Sequence, residues 1–199
     1  MRSALLVFGI MFLCGAHAQC DSAWRDSLDA YWSRIDGEYA DSAHSPLKPE
    51  DRAQFVHLHR FTPDPAFCVT ASFKPATAAE PFAMKTTTTR APLYKVHGWL
   101  SFTLGGQDFT LPVYEPVTPI PGHPGHLFLP FTDLTNGEET YGGGRYIDLQ
   151  APLAEQVQID FNRAYNPYCA YNDRYSCPIP PLENHVDAEV RAGVLKFHD

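Results

Sequence analysis

Apolar residues recur at two different spacings along the chain, and these spacings predict an N-terminal helix followed by β structure. Between residues 21 and 40 the apolar positions follow helical spacing, which places them on one face of an amphipathic helix: Trp24, Leu28, Tyr31, Trp32, Ile35 and Tyr39. Asp21 or Ser22 can cap the start of this helix. A second, short helix is expected to start where Ser45 precedes Pro46.

From residue 67 onward the period changes to the alternation of half-buried strands, which is clearest in FCVTASF at residues 67–73. The glycine pair Gly105-Gly106 separates two such segments and indicates a β-hairpin. No helical segment separates successive strands. We therefore expect a mainly β protein with an N-terminal helix, in which an antiparallel sheet closes into a small barrel or sandwich. Strands are predicted at residues 67–73, 82–89, 92–104, 107–115, 126–133, 140–149 and 157–162, and a last one at 186–193.

Residues 1–18 have the layout of a secretory signal peptide. Arg2 is basic, residues 5–13 form an apolar stretch of nine residues, and Ala-His-Ala at 16–18 is a small-x-small cleavage site. Nine residues are too few to span a bilayer. We expect cleavage after Ala18, export to the periplasm or medium, and one domain over residues 19–199. A lipid anchor on Cys20 is less expected, because Gln19 stands where a lipobox needs a small residue.

The charge balance limits the partners that the chain can have. Its net charge is −8, and removal of residues 1–18, which hold one arginine and no acid, makes it −9. Such a chain repels nucleic acid and anionic lipid, so we expect no nucleic-acid partner. No later segment is apolar enough to cross a membrane. The sequence lacks the motifs of serine hydrolases, zincins and dinucleotide-binding proteins, and we predict no cofactor and no metal ion.

Four cysteines remain after residues 1–18 are removed: Cys20, Cys68, Cys169 and Cys177. An even number in an exported chain favours disulfides. Cys169 and Cys177 lie either side of a turn-forming Asn-Asp pair, so we predict a disulfide between them, with Cys20 paired to Cys68 or free. A metal site completed by Glu183 and His185, and a catalytic thiol, are the alternatives.

A run of three glycines, residues 142–144, precedes Arg145. Such a run suits a bulge at a barrel corner and can turn the arginine inward. Asp160 and Asn162 alternate at the end of a predicted strand and therefore share one face. If that face is internal, Asp160 needs a cationic or hydrogen-bonding partner, and Arg145 is the one we expect.

Three blocks of the chain resemble a family catalogued as domain of unknown function 1684, which occurs in bacteria and archaea. The blocks are SPL at 45–47, residues 127–146, and DFNRAYNPYCAYNDRYSCPIPPLENHVDAEVRAG at 160–193. The resemblance implies no activity. The chain departs from the family pattern at Val194, where a glutamate usually stands. It implies that these residues belong to the family signature: Gly144, Arg145, Asp160, Asn162, Asn166, Cys169, Cys177, Glu183 and Asn184.

Two functional hypotheses follow. The first is a binding or structural module in which signature residues line a polar cup for a small polar ligand: Arg145, Asp160, Asn162, Asn166, Glu183 and Asn184. In its purely structural form, an Arg145–Asp160 pair pins the C-terminal segment to the sheet. The second is a hydrolase-like enzyme, with or without a metal ion, in which Asp160 or Glu183 is the base and Arg145 the electrophile. Both hypotheses require Arg145 to lie near Asp160 or Glu183.

Overall fold

The computed structural model describes residues 22–198, and of Ser22 only the backbone. The predicted signal peptide and Cys20 lie outside this range. Helix α1 spans Ser22–Ala40 and α2 spans Pro49–Arg52. Eight strands follow: β1 Cys68–Pro75, β2 Phe82–Ala83, β3 Leu93–Leu104, β4 Gln107–Pro116, β5 His126–Asp133, β6 Arg145–Gln150, β7 Gln156–Asp160 and β8 His185–Val186. Within residues 22–198, no helix combines the length and apolar character needed to cross a bilayer.

The strands form one sheet in the order β6-β5-β4-β3-β1-β7, with β2 added to β3 and β8 added to β5. All pairs are antiparallel except β5–β8. The sheet curls into a half-barrel. Tyr165, just beyond β7, approaches β6 at the opposite edge and exchanges two backbone hydrogen bonds of 2.9 and 3.0 Å with Tyr146. The expectation of a helix packed on a curved antiparallel sheet is thus confirmed.

Alternation along the strands divides the apolar side chains between two faces of the sheet. On β5, for example, Leu127, Leu129 and Phe131 join the barrel core, whereas Phe128 faces the other side. This outer face carries Met84, Tyr94, Tyr114, Phe128 and Tyr146. A further cluster packs α1, through Leu28, Trp32 and Tyr39, against Leu47, Leu58, Tyr171 and Val194.

The Gly105-Gly106 hairpin is confirmed, with φ of 60° and 83° at the two glycines. The glycine run before Arg145 forms a turn ahead of β6, and the register shift in β3 lies between Val96 and Gly98 instead. The predicted strand at 82–89 is reduced to Phe82–Ala83, and the one at 186–193 to His185–Val186.

The second helix begins at Pro49, with Lys48 as its N-cap. The Ser45 hydroxyl accepts the backbone N–H of Leu47 instead (3.1 Å), which stabilises a turn ahead of the helix. The serine-proline pair therefore marks the approach to the helix and not its first residue.

Candidate functional site

Arg145 is fully buried at the start of β6 and its carboxylate partner is Asp133, not Asp160. Its Nη2 donates to Asp133 Oδ2 (2.7 Å) and to the Val190 carbonyl (2.8 Å), and Nη1 donates to the Ala192 carbonyl. Burial lowers the pKa of Arg145 and the adjacent carboxylate opposes that effect. The side chain thus pins the segment around residues 190–192 against the sheet.

The register of the sheet explains why the expected pairing was wrong. Arg145 lies opposite Phe131, so Asp133, two residues further along β5, is its diagonal neighbour on the same face. Asp160 ends β7, which lies at the other end of the strand order. Among the described residues, no hydrogen bond or ion pair joins Arg145 to Asp160 or to Glu183, and the hydrolase hypothesis stays a prediction.

Asp160 and Asn162 join α1 to the end of β7. The Asp160 carboxylate accepts from Trp24 Nε1 (2.8 Å) and from the Asn162 backbone N–H (3.0 Å), which caps a short 3-10 helix. The Asn162 side chain exchanges two hydrogen bonds of 2.9 Å with the backbone of Asp64, and the Asn162 backbone carbonyl accepts from Trp32 Nε1 (3.0 Å). These polar atoms are already used in holding the fold together.

The remaining predicted residues occupy two further places. Asn166 is buried and donates to the Leu195 carbonyl (2.9 Å). Asn184 is buried against β4, where it accepts from the Tyr114 hydroxyl (2.7 Å). Glu183 is exposed beside the same hydroxyl, at 3.2 Å. The structure therefore does not bring the six candidate residues into one cup, and a ligand-binding role for them stays a prediction.

A groove of about 300 Å³ lies between α1 and the chain around residue 61. Two of its polar side chains have partners within the protein: Arg60 makes two contacts of 2.9 and 3.0 Å with Asp36, and Asn162 is bonded as described. The groove is lined by Asp29, Trp32, Ser33, Arg60, Phe61, Pro63 and Asn162.

A more open arrangement of polar groups lies on the outer face of the sheet, around Asp148 on β6. Its carboxylate accepts a hydrogen bond from the Tyr165 hydroxyl (2.8 Å), and His126 Nε2 lies 3.7 Å from the same oxygen. Its side chain is 47% exposed, yet the surrounding protein desolvates it enough to raise its pKa. Such a carboxylate occupies a recess, where water reaches one side and protein atoms crowd the other.

Several aromatic residues lie on the same side of the sheet as this carboxylate. Phe128 is its direct partner on β5 and packs against Tyr146 (ring centroids 4.7 Å apart) and Tyr94 (5.8 Å). Burial raises the pKa of four tyrosines, and the charge of Asp148 adds to the rise in each: Tyr31, Tyr94, Tyr165 and Tyr168. These four come from different parts of the chain. We call Asp148, His126, Phe128 and these four tyrosines the Asp148 recess.

The sequence analysis missed the Asp148 recess, although one signal was present. Asp148 lies between Ile147 and Leu149 in a predicted strand and, by alternation, faces away from Arg145 and Ile147. A carboxylate on what proves to be an aromatic face was therefore recognisable in principle. The partners on α1 and around residue 165 depend on the tertiary fold.

Cys169 and Cys177 lie side by side near this face. Both are thiols in the structure, and the predicted disulfide stays a prediction. The Cys169 backbone N–H donates to Cys177 Sγ (3.0 Å), and the Tyr141 hydroxyl lies 3.7 Å from Cys169 Sγ. A hydrogen bond between the two sulfur atoms, with help from Tyr141, lowers the pKa of Cys169 to about 7, while the same bond and burial raise that of Cys177.

Within residues 22–198, no third ligand completes a metal site at these cysteines. Across residues 22–198, no group of three or more histidine, cysteine, aspartate or glutamate side chains is arranged to hold a metal ion. Glu183, which the metal alternative required, contacts Tyr114, and the His185 ring lies 3.0 Å from the Thr132 hydroxyl.

The fold defines a β half-barrel domain with its N-terminal helix packed alongside, and a recess on the outer face of the sheet. The model of the family described as "Protein of unknown function (DUF1684)" matches residues 53–195, and the chain belongs to this family. An uncharacterized protein of Haloarcula marismortui, whose structure was solved by NMR, is 34% identical over 87% of this chain and 94% of its own, with a TM-score of 0.70. No curated protein matches the chain.

Proposed function

We propose that this protein is a small-molecule-binding module whose ligand is a small organic cation held in the Asp148 recess. The observation that carries the proposal is Asp148 itself, a half-exposed carboxylate whose pKa is raised by desolvation. The protein removes part of the hydration that stabilises the charged carboxylate. A cation bound beside it would stabilise that charge instead.

The surroundings favour a cation over an anion. Faces of tyrosine and phenylalanine rings attract ammonium groups, and several such rings lie around Asp148. The nearest arginine of α1, Arg34, is held by Glu38 at 2.6 Å and also lies over the Tyr31 ring. The net charge of −8 works in the same direction at longer range. We therefore expect an amine or quaternary ammonium that also carries an apolar group.

A thermal-shift screen tests this proposal. Aliphatic and aromatic amines should raise the melting temperature of the protein, whereas matched alcohols and carboxylates should not. Asp148→Asn should abolish the shift, because the amide keeps the shape and the Tyr165 contact but not the charge. Asp187→Asn, at an exposed carboxylate after β8, is the matched control and should keep the shift. Equal shifts in both variants, or stabilisation by carboxylates alone, would overturn the proposal.

We also propose that the module acts after export, on the strength of the ordered basic, apolar and small-residue regions in residues 1–18. N-terminal sequencing of the protein recovered from its native compartment should begin at Gln19. An intact Met1 in the soluble cytoplasmic fraction would contradict this proposal without affecting the ligand assignment.

A further inference from the structure

The Cys169–Cys177 pair combines features that suit thiol–disulfide exchange. Cys177 is buried, with 5% of its surface exposed, whereas Cys169 is partly exposed. The two positions are therefore unequal. A reagent from solution reaches Cys169 first, and Cys177 lies directly behind it.

The groups around Cys169 stabilise its thiolate. The Cys177 thiol, the Tyr141 hydroxyl and the Thr87 hydroxyl each hydrogen-bond to its sulfur. Because the thiolate is the nucleophile, a thiol whose pKa lies near ambient pH is well suited to attack a disulfide. Thr87 also holds the backbone of Cys177 in place. The Cys177 N–H donates to the Thr87 hydroxyl (3.1 Å), and the Cys177 carbonyl accepts from the Thr87 N–H (2.9 Å).

We propose that Cys169 and Cys177 form a reversible redox pair, in which Cys169 attacks low-molecular-weight disulfides and Cys177 resolves the product. The Cys169 thiolate bonds to one sulfur of a disulfide RSSR, and the other half leaves as a thiolate. Cys177 then loses its proton to solvent and its sulfur attacks Cys169, which forms the protein disulfide and releases the second RS⁻. Two electrons pass from the protein dithiol to RSSR, which becomes two thiols.

This proposal is independent of the Asp148 ligand, and it gives the predicted disulfide a chemical route. Glutathione disulfide is the probe, and peptide mapping by mass spectrometry identifies which sulfur reacts. The reduced wild-type protein should form the 169–177 disulfide. Cys177→Ser should instead accumulate a glutathione adduct on Cys169, and Cys169→Ser should form an adduct on Cys177 at least about tenfold more slowly.

Two further measurements test whether the Cys169 thiolate is the reacting group. Tyr141→Phe, which removes one hydrogen bond to the sulfur but keeps the ring, should slow the reaction of Cys169 a few-fold at neutral pH. In the unaltered protein, the alkylation rate of Cys169 should rise with pH through an inflection near 7. This second readout does not depend on whether a cysteine variant folds.

Three results would overturn the proposal. They are equal rates of adduct formation at Cys169 and Cys177, a wild-type reaction that stops at the mixed disulfide, and an alkylation inflection at the value of an ordinary thiol. Cys68→Ser, which alters a cysteine at the start of β1, is the control and should leave the reaction of the pair unchanged.

Discussion

The strongest prediction concerns the buried Arg145–Asp133 pair, which we would perturb with Arg145→Met. The substitution keeps an unbranched side chain of similar reach but removes all three hydrogen bonds. It leaves Asp133, only 4% exposed, without a cation, and the Ala192 carbonyl without its donor, whereas the Val190 carbonyl still accepts from the Ala192 N–H (2.9 Å). Breaking a buried pair from one side costs about 3–5 kcal/mol.

That cost is large beside the total stability of a domain, which is roughly 5–15 kcal/mol. For a chain of this length each kilocalorie lowers the melting temperature by about 2–4 °C, so we expect a fall of roughly 6–20 °C. Calorimetry and urea unfolding measure it. The matched control is Arg191→Met in the same segment, where an exposed arginine contacts Glu139 at 2.9 Å. Exposed ion pairs contribute little, so this variant should melt close to wild type.

A double variant separates the contribution of the Arg145–Asp133 charge pair from that of the hydrogen bonds to the backbone. Arg145→Met combined with Asp133→Leu removes the orphaned carboxylate as well, so its destabilisation should be smaller than the sum of the two single effects by more than about 1 kcal/mol. The Ala192 carbonyl still lacks the donor that Arg145 supplied, so the rescue should be partial. The reasoning is refuted if Arg145→Met melts no lower than Arg191→Met, or if the two single effects simply add.

Three further predictions concern other parts of the molecule. Gly144→Ala should cost at least about 2 kcal/mol in urea unfolding, because φ is +86° and the added methyl group would lie 2.6 Å from a backbone carbonyl of β5. Gly142→Ala, whose methyl group meets nothing closer than 3.6 Å, is its control, and a similar loss in both variants would contradict the argument. Trp24→Phe should cost about 1–2 kcal/mol by the same assay, since it removes one of the donors to the Asp160 carboxylate; an unchanged unfolding midpoint would show that this bond adds nothing. Asp148→Asn should stabilise the apo protein increasingly as pH rises from the ordinary carboxyl value of 3.8, because the folded state binds its proton more tightly than the unfolded state and loses stability on ionisation. Melting curves of both proteins across this range check the sign, and a stability difference that shrinks with rising pH would contradict it.

The sequence was a good guide where one local pattern decides the structure. Helical spacing identified α1, because its apolar residues face one cluster, and two adjacent glycines identified the β3–β4 hairpin. It was a poorer guide at 82–89, where threonines predicted a long strand. The Thr86 hydroxyl bonds instead to the Arg90 carbonyl at 2.5 Å, which curls this stretch away from the sheet. Such local side-chain bonds compete with strand pairing.

The candidate site was harder to predict because it depends on register. Both Asp133 and Asp160 end a strand and both are buried, so their own patterns do not reveal which one meets Arg145. Only the β5–β6 pairing decides this, and that pairing is set by the turn at residues 134–144. Asp148 depends on still more distant parts of the chain, because its partner Tyr165 arrives from beyond β7.

The segment at residues 190–194 affects how the protein unfolds. Val190 and Ala192 are buried in the barrel core, and Val194 is buried in the cluster under α1. Five residues of chain are therefore shared by two apolar clusters, with Arg145 fixing one end and the Val194 N–H bonded to the Ala164 carbonyl at the other (3.0 Å). Helix α1 cannot detach without loosening Val194, and that disturbance reaches the barrel within four residues. The helix and the half-barrel should thus behave as a single cooperative foldon, although the helix lies outside the sheet.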